Sequence, residues 1–212
     1  MSTDERPAWA SETPEMISYY DSVWGRPVTT EHAAFALIAL EAFQSGLSWL
    51  TIWRRHEAFA EAFAGFDVDA VAAFDEARVQ ELLGNAAIIR NRRKIEATIA
   101  NARATQALRD RVPELPSGEV EAGLPSLLWH YSVPTRLPES TDAGADGVEP
   151  APTRSPESEA LARQLKTYGF RQLGPVSLYS TLAAMGIINH HPYGSTRWKE
   201  LEADRGRILG HA

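Results

Sequence analysis

A single carboxylate interrupts an apolar helix-like run. Across Ala33–Phe43 every side chain except Glu41 is apolar. A carboxylate placed among such neighbours is costly unless a donor reaches it. Two readings follow: a structural Glu that pairs with an Arg or turns to the surface, or a pocket carboxylate awaiting a ligand's N–H. Aromatic residues crowd the same quarter of the chain, with Trp9, Tyr19, Tyr20, Trp24, Trp49 and Trp53 all before residue 54. Rings of this kind usually build a core, and Trp53 fits a core stripe. Trp49 instead sits at a loop-to-helix junction, after Gln44-Ser45-Gly46-Leu47-Ser48. Aromatic faces attract positive charge, so a ring box beside one carboxylate suits a flat, electron-poor, nitrogen-bearing ligand such as a cationic purine.

A second feature is basic. Between Ile88 and Arg103 stand Arg90, Arg92, Arg93, Lys94 and Arg103 against one acid, Glu96. The segment Leu82–Ile95 reads as helix, tight apolar hairpin and a helix with a basic first turn. Free amides at such a start, reinforced by cations, can hold a phosphate; a solvated basic face is the plainer alternative. The nucleotide-loop, zinc-protease and serine-hydrolase signatures are absent. His190-His191, without cysteines or spaced carboxylates, reads as a polar turn.

The elements that must carry these residues are helical. Thr30 can cap a helix over Thr30–Phe43, with Phe35, Ile38, Ala39 and Ala42 in register. After the break at Ser45-Gly46, a second helix places Trp49, Trp53, Ala60 and Phe63 on one stripe. Short helices follow over Asp67–Phe74 and Asp75–Leu83, each opened by an aspartate. A long helix runs over Asn91–Leu108. Beyond a loop at Pro113–Gly123, an apolar helix spans Leu124–Val133 and contains Trp129. Residues 134–156 are rich in Pro, Gly, Ser, Thr, Asp and Glu, the composition of a flexible connection. Ser155 then caps a helix to Tyr168 that Gly169 stops, and a last helix follows Pro175. No repeat or strand pair is visible. The expected fold is all-α.

Composition bounds the rest. At 212 residues and 44% hydrophobic the chain suits one domain with a sizeable core. With no cysteine, disulfides, thiolate metal sites and a cysteine nucleophile are excluded. Met1–Pro14 lacks the apolar core of a secretory signal, and no run approaches the roughly 20 residues of a membrane span. A cytoplasmic protein without a membrane partner is expected. The net charge of −7 does not advertise a nucleic-acid binder, yet one basic face on an acidic protein can still hold a phosphate backbone.

Five stretches together resemble the 3-methyladenine DNA glycosylase I family: Tyr19–Pro27, Leu40–Trp49, Ile88–Ile95, Tyr168–Pro175 and Met185–His191. They occur in the family's order from about Trp9 to His191. The resemblance implies a helix-hairpin-helix DNA glycosylase-like bundle in two lobes, excising 3-methyladenine after base flipping. Under it Glu41 accepts the adenine edge, Trp49 stacks on the flipped base, and Tyr19 and Trp9 complete the pocket. Gln44 and Leu47 probe the duplex and fill the gap. The hairpin from Leu83 to Lys94, with Gly84, Ile88, Arg90, Arg92 and Lys94, grips phosphates. The partner is double-stranded DNA with alkylated purines, met by a monomer without a cofactor.

This chain departs from the family at several points. Relatives commonly tie their termini with a zinc ion on two Cys and two His, where this chain has Pro7, Tyr20, His191 and Ser195. No zinc is therefore expected, and Trp9, Tyr20 and Tyr193 are the candidates to hold the ends by packing. Met16 replaces a second pocket tyrosine, and Ala87 stands where the hairpin usually has Gly. No general base is implied, and Asp21 reads as structural. Three other functions stay open: a non-catalytic reader of damaged DNA, a glycosylase for a bulkier alkylated purine, and a small-molecule bundle that ignores DNA.

Overall fold

Local capping chemistry explains where most helices begin. The computed structural model describes residues 6–133 and 153–210. A 3-10 turn over Ala8–Ser11 leads to α1 (Pro14–Ser22), whose first amides are met by the Thr13 hydroxyl. Thr30 accepts from the Ala33 amide and opens α2 (Glu31–Gln44). Then come α3 (Trp49–Trp53), capped by Ser48, and α4 (His56–Ala62). Asp67 and Asp75 cap α5 (Val68–Ala72) and α6 (Glu76–Gly84), and Asn91 caps α7 (Arg92–Leu108). After α8 (Leu124–Trp129) the second described stretch holds α9 (Pro156–Thr167), α10 (Pro175–Ala184) and α11 (Thr196–Leu209). Ser155 and Ser158 form a reciprocal capping box at α9. Among the described residues there is no strand, and no helix is long and apolar enough to cross a membrane. The all-α expectation holds.

The hub of the packing is α2. It touches α3, α4, α7, α8 and α10, and its side chains from Leu37 to Phe43 are all buried. A helix covered on every side must be apolar on every side, which accounts for the unbroken run around Glu41. The most extensive helix pairs are α5 with α7 and α9 with α10. From α8, Trp129 Nε1 donates to the Val28 carbonyl at 2.8 Å and fixes the segment before α2.

Three expectations change. The helix expected from Trp49 through Phe63 is broken at Arg54-Arg55, because His56 competes for its backbone: its Nδ1 lies 2.6 Å from the Trp53 carbonyl and its ring stacks on Trp53. The chain does not end its helices after α10. Ser195 and the left-handed Gly210 bracket α11, which buries Leu201, Ile208 and Arg205. That face is weakly apolar because Arg205 is paired with Glu202 and Ser132. Finally, α1 lies before the first helix expected from the sequence, although Met16, Tyr19 and Tyr20 form a buried stripe. The flexible connection expected over 134–156 lies, as far as residue 152, outside the described residues.

Candidate base-binding site

Six parts of the chain converge on one small cavity. Trp9 comes from the 3-10 turn, Met16 and Tyr19 from α1, and Trp24 from the turn after it. From α2 come Glu41 and Gln44, one turn apart; Trp49 opens α3, and Ser180 and Ala184 come from α10. The cavity holds about 160 Å³, well below the roughly 300–1,000 Å³ of sites for drug-sized ligands. A single heterocycle is the size of ligand it suits. Tyr19 is the centre of the wall, with ring centroids 5.3 Å from Trp49, 4.6 Å from Trp53 and 6.5 Å from Trp9.

Polar groups in this cavity are left waiting. Glu41 is 4% exposed, and burial alone pushes its pKa up to about 8. The Glu41 carboxyl and Trp49 Nε1 have no hydrogen-bond partner among the described residues. The Tyr19 hydroxyl is held far above its ordinary pKa by burial and then by the nearby Glu41 charge. Unpaired buried polar atoms are rare because each carries a desolvation cost. Here they share a cavity with aromatic walls, an arrangement suited to a ligand that donates N–H and carries positive charge.

Of the pocket residues named from sequence, Glu41, Trp49, Tyr19 and Trp9 line this one cavity together with Gln44. Leu47 is half-buried against the core, at the end of a turn closed by its amide on the Gln44 carbonyl at 2.7 Å. Ser180 and Ala184 gave no sequence signal, since small residues on an apolar helix look like packing. Asp21 is not part of the cavity. Its carboxylate accepts from Arg6 Nε at 2.9 Å and a terminal guanidinium nitrogen at 2.6 Å, which keeps its pKa below the ordinary value.

The basic hairpin divides differently from expectation. Gly84 and Arg90 are exposed. Arg92 shares its charge with Glu76 and Glu96, at 2.9 and 3.0 Å. Two residues expected on the DNA face turn inward instead. Ile88 is 3% exposed within the core, as an aliphatic side chain should be. Lys94 is buried, its ammonium 2.7 Å from each of two backbone carbonyls, and burial lowers its pKa. Other cations lie elsewhere: Arg93, which donates to the Gln172 side-chain oxygen at 2.6 Å, Arg163, Lys166 and Arg171 line, with Glu96 and Glu159, a groove of about 630 Å³ beside the turn that joins α9 to α10. That turn holds two left-handed residues, Gly169 at φ +95° and Gln172 at φ +59°. The buried Asn101 side chain anchors it, accepting the Arg171 amide at 2.7 Å and donating to the Arg171 carbonyl.

The four positions at which the resemblance implies zinc ligands do not fit a metal here. Among Pro7, Tyr20, His191 and Ser195 only His191 is a zinc-binding type, and its Nδ1 lies 2.8 Å from the Tyr20 hydroxyl. Ser195 caps α11. The described residues contain no group of three or more His, Cys, Asp or Glu suited to a metal. An aromatic clasp occupies the place: Tyr20 stacks on Trp24 at 5.3 Å, and His191 meets both rings edge-on. Burial keeps His191 neutral, moving its pKa down to about 4. Tyr193 does not join the clasp; it is 57% exposed and rests on Trp198. Tyr20→Phe should therefore cost about 1–3 kcal/mol, by stranding the buried His191 nitrogen. A chelator should leave the melting temperature of the unsubstituted protein unchanged, and a fall on chelation would contradict the clasp.

The fold is shared with known proteins. A model of the methyladenine glycosylase family matches residues 9–198. DNA-3-methyladenine glycosylase 1 of Escherichia coli (strain K12) is 36% identical over 190 residues, covering 90% of this chain and 95% of that protein. A crystal structure of 3-methyladenine DNA glycosylase I superposes with a TM-score of 0.75 at 36% identity, over 90% of this chain and 98% of its own. A structure of 3-methyladenine DNA glycosylase I from Staphylococcus aureus, describing 3-methyladenine recognition, gives 0.75 at 30% identity, covering 90% and 94%. The match reaches from the aromatic turn at Trp9 to the start of α11 and takes in every element that builds the cavity, so the chain belongs to the methyladenine glycosylase family.

Proposed function

We propose that this chain excises 3-methyladenine from alkylated double-stranded DNA, in base excision repair, by hydrolysing the N-glycosidic bond of a nucleotide flipped into the Trp9–Tyr19–Trp49 cavity. The observation that carries this reading is Glu41, a buried carboxyl without a protein donor in a cavity walled by aromatic rings. Methylation at N3 gives the purine a positive charge. Aromatic faces and a carboxylate stabilise that charge and the exocyclic N–H, whereas unmodified adenine offers the cavity no charge. When the glycosidic bond breaks, its electron pair moves onto the purine and cancels the charge. Water then adds to the sugar carbon and loses a proton. Among the described residues Glu41 is the only carboxylate lining the cavity, so leaving-group quality and selective extrusion carry the rate rather than a dedicated base.

In this reading the protein works as a cytoplasmic monomer, one pocket meeting one lesion. The duplex backbone is held by the exposed Arg90 and Gly84 of the α6–α7 hairpin and by the cations beside the α9–α10 turn. Arg171 and Arg93 are the residues to test there: each neutralisation to Ala should reduce the slope of log affinity against log salt by about 0.9. An unaltered slope in both variants would place the duplex elsewhere.

The recognition step can be measured without DNA. Titration with free 3-methyladenine should quench tryptophan fluorescence, since Trp9, Trp24 and Trp49 line the cavity, while adenine at the same concentrations should leave it unchanged. Equal responses to both bases would remove the proposed selectivity.

A further inference from the structure

Lys94 sits in a basic run, yet its ammonium is inside the protein. It donates to the Phe43 carbonyl and the Ser45 carbonyl, each at 2.7 Å, and the residue is only 9% exposed. Those carbonyls belong to the end of α2, where the last turn of any helix lacks intrahelical donors and carries partial negative charge. The chain leaves α2 abruptly at Ser45, with φ −45° and ψ 115°. It then turns through Gly46 at φ +79° and enters α3 at Trp49. Gln44, between the two bonded carbonyls, lines the base cavity, as do Glu41 before it and Trp49 after it. A single buried ammonium thus ties the long helix α7 to the point where two walls of the cavity meet.

We infer that Lys94 is a positioning residue for base excision: its ammonium holds the end of α2 and the Ser45–Leu47 turn so that Gln44 and Trp49 keep their places at the cavity, and it contacts no phosphate. The functional half of this inference rests on the reading of the cavity as a base pocket. Its structural half concerns the turn alone. Displacing a site wall by about an ångström can cost on the order of 100-fold in rate, so the effect belongs in kcat.

The test is Lys94→Met, which keeps the aliphatic stem and removes the donor. Exchange of the Leu47 amide, whose bond to the Gln44 carbonyl closes the turn, should accelerate at least about tenfold by local opening. Release of 3-methyladenine from alkylated duplex should lose about 10- to 100-fold in kcat with little change in KM. The salt slope of duplex binding should stay at the value of the unsubstituted protein. Gly46→Ala perturbs the same turn while keeping the ammonium. Its added Cβ meets nothing within 4 Å but is forced to a left-handed φ, and it should reproduce the kcat defect more mildly even if Lys94→Met folds poorly. A salt slope reduced by about one in Lys94→Met, with Leu47 exchange unchanged, would make Lys94 a phosphate contact and overturn the inference. Unchanged kcat together with unchanged exchange would overturn it equally. If the unsubstituted protein releases no base, the base-pocket reading fails, and Leu47 exchange still decides whether Lys94 holds the turn.

Discussion

Glu41→Gln should make the protein more stable and nearly inactive at the same time. Burial lifts the Glu41 pKa from its ordinary 4.5 to about 8, so in the folded state the proton is retained where the unfolded chain has lost it. The sign follows from linkage: a raised folded pKa contributes stability that is complete below pH 4.5 and is lost as pH rises toward 8. Each pH unit in that window costs about 1.4 kcal/mol, or about 3 kcal/mol by pH 7. Glutamine does not titrate and escapes the cost. The stability difference between Glu41→Gln and the unsubstituted protein should therefore widen from pH 4.5 to pH 8 and then level off. Denaturant unfolding at three pH values measures it, and a difference independent of pH would show that Glu41 is solvated in the folded state.

The same proton governs activity. The carboxylate, not the acid, stabilises a cationic purine, and the free enzyme holds the acid below about pH 8. Thus kcat/KM should rise with pH up to about 8, while kcat should titrate lower, because the bound cation favours the carboxylate. Replacing the anion with an amide removes a charge-assisted bond in a desolvated site. A loss of about 100-fold in kcat/KM, or about 2.7 kcal/mol of transition-state stabilisation, is the expected scale.

Gly186→Ala should be severely damaging for so small a substitution, lowering stability by about 2–5 kcal/mol and the melting temperature by roughly 10 °C. Two costs combine. Gly186 has φ +68°, where a Cβ costs about 1–2 kcal/mol. The added Cβ would also stand 2.9 Å from the Arg26 carbonyl carbon, 3.0 Å from the Pro27 nitrogen and 3.0 Å from Leu201 Cδ1. Backbone cannot yield as a flexible side chain can. This seam is where Gly25 donates to the Ala184 carbonyl at 2.9 Å and Val28 to the Met185 carbonyl at 3.1 Å. It joins Trp24 to α10, so affinity for free 3-methyladenine should fall as well. Gly194→Ala is the control, with φ +77° but nothing within 4 Å of the new Cβ; it should show the conformational cost alone. Equal losses in the two variants would mean that the seam relaxes.

The pocket was legible because its signals are local and chemical. A lone Glu in an apolar run can be read without coordinates, and aromatic residues beside a Gly-containing turn point to the same place. Helix starts were legible for a similar reason: Thr30, Asp67, Asp75, Asn91 and Ser155 each accept an amide of the turn they open. The direction of a charged side chain was not. Arg92, Arg93 and Lys94 are consecutive, yet one is paired on the surface, one faces a groove and one is buried, because successive helical residues lie about 100° apart. Which of them meets α2 depends on a contact across 51 positions of sequence. The cations of α9 and the Asn101 anchor were hidden likewise, being brought together only by packing. At the termini, the residue types at positions 7, 20, 191 and 195 were visible in the sequence, whereas the bond between Tyr20 and His191 needed the fold.

The most direct test of the account is release of free bases from methylated duplex DNA, comparing the unsubstituted protein with Glu41→Gln. 3-Methyladenine should appear with the unsubstituted protein and fall about 100-fold with Glu41→Gln, while both bind the duplex equally. Duplex binding without release by the unsubstituted protein, or full release by Glu41→Gln, would contradict it: the first would leave a reader of damage, the second a pocket that recognises the base without its carboxylate.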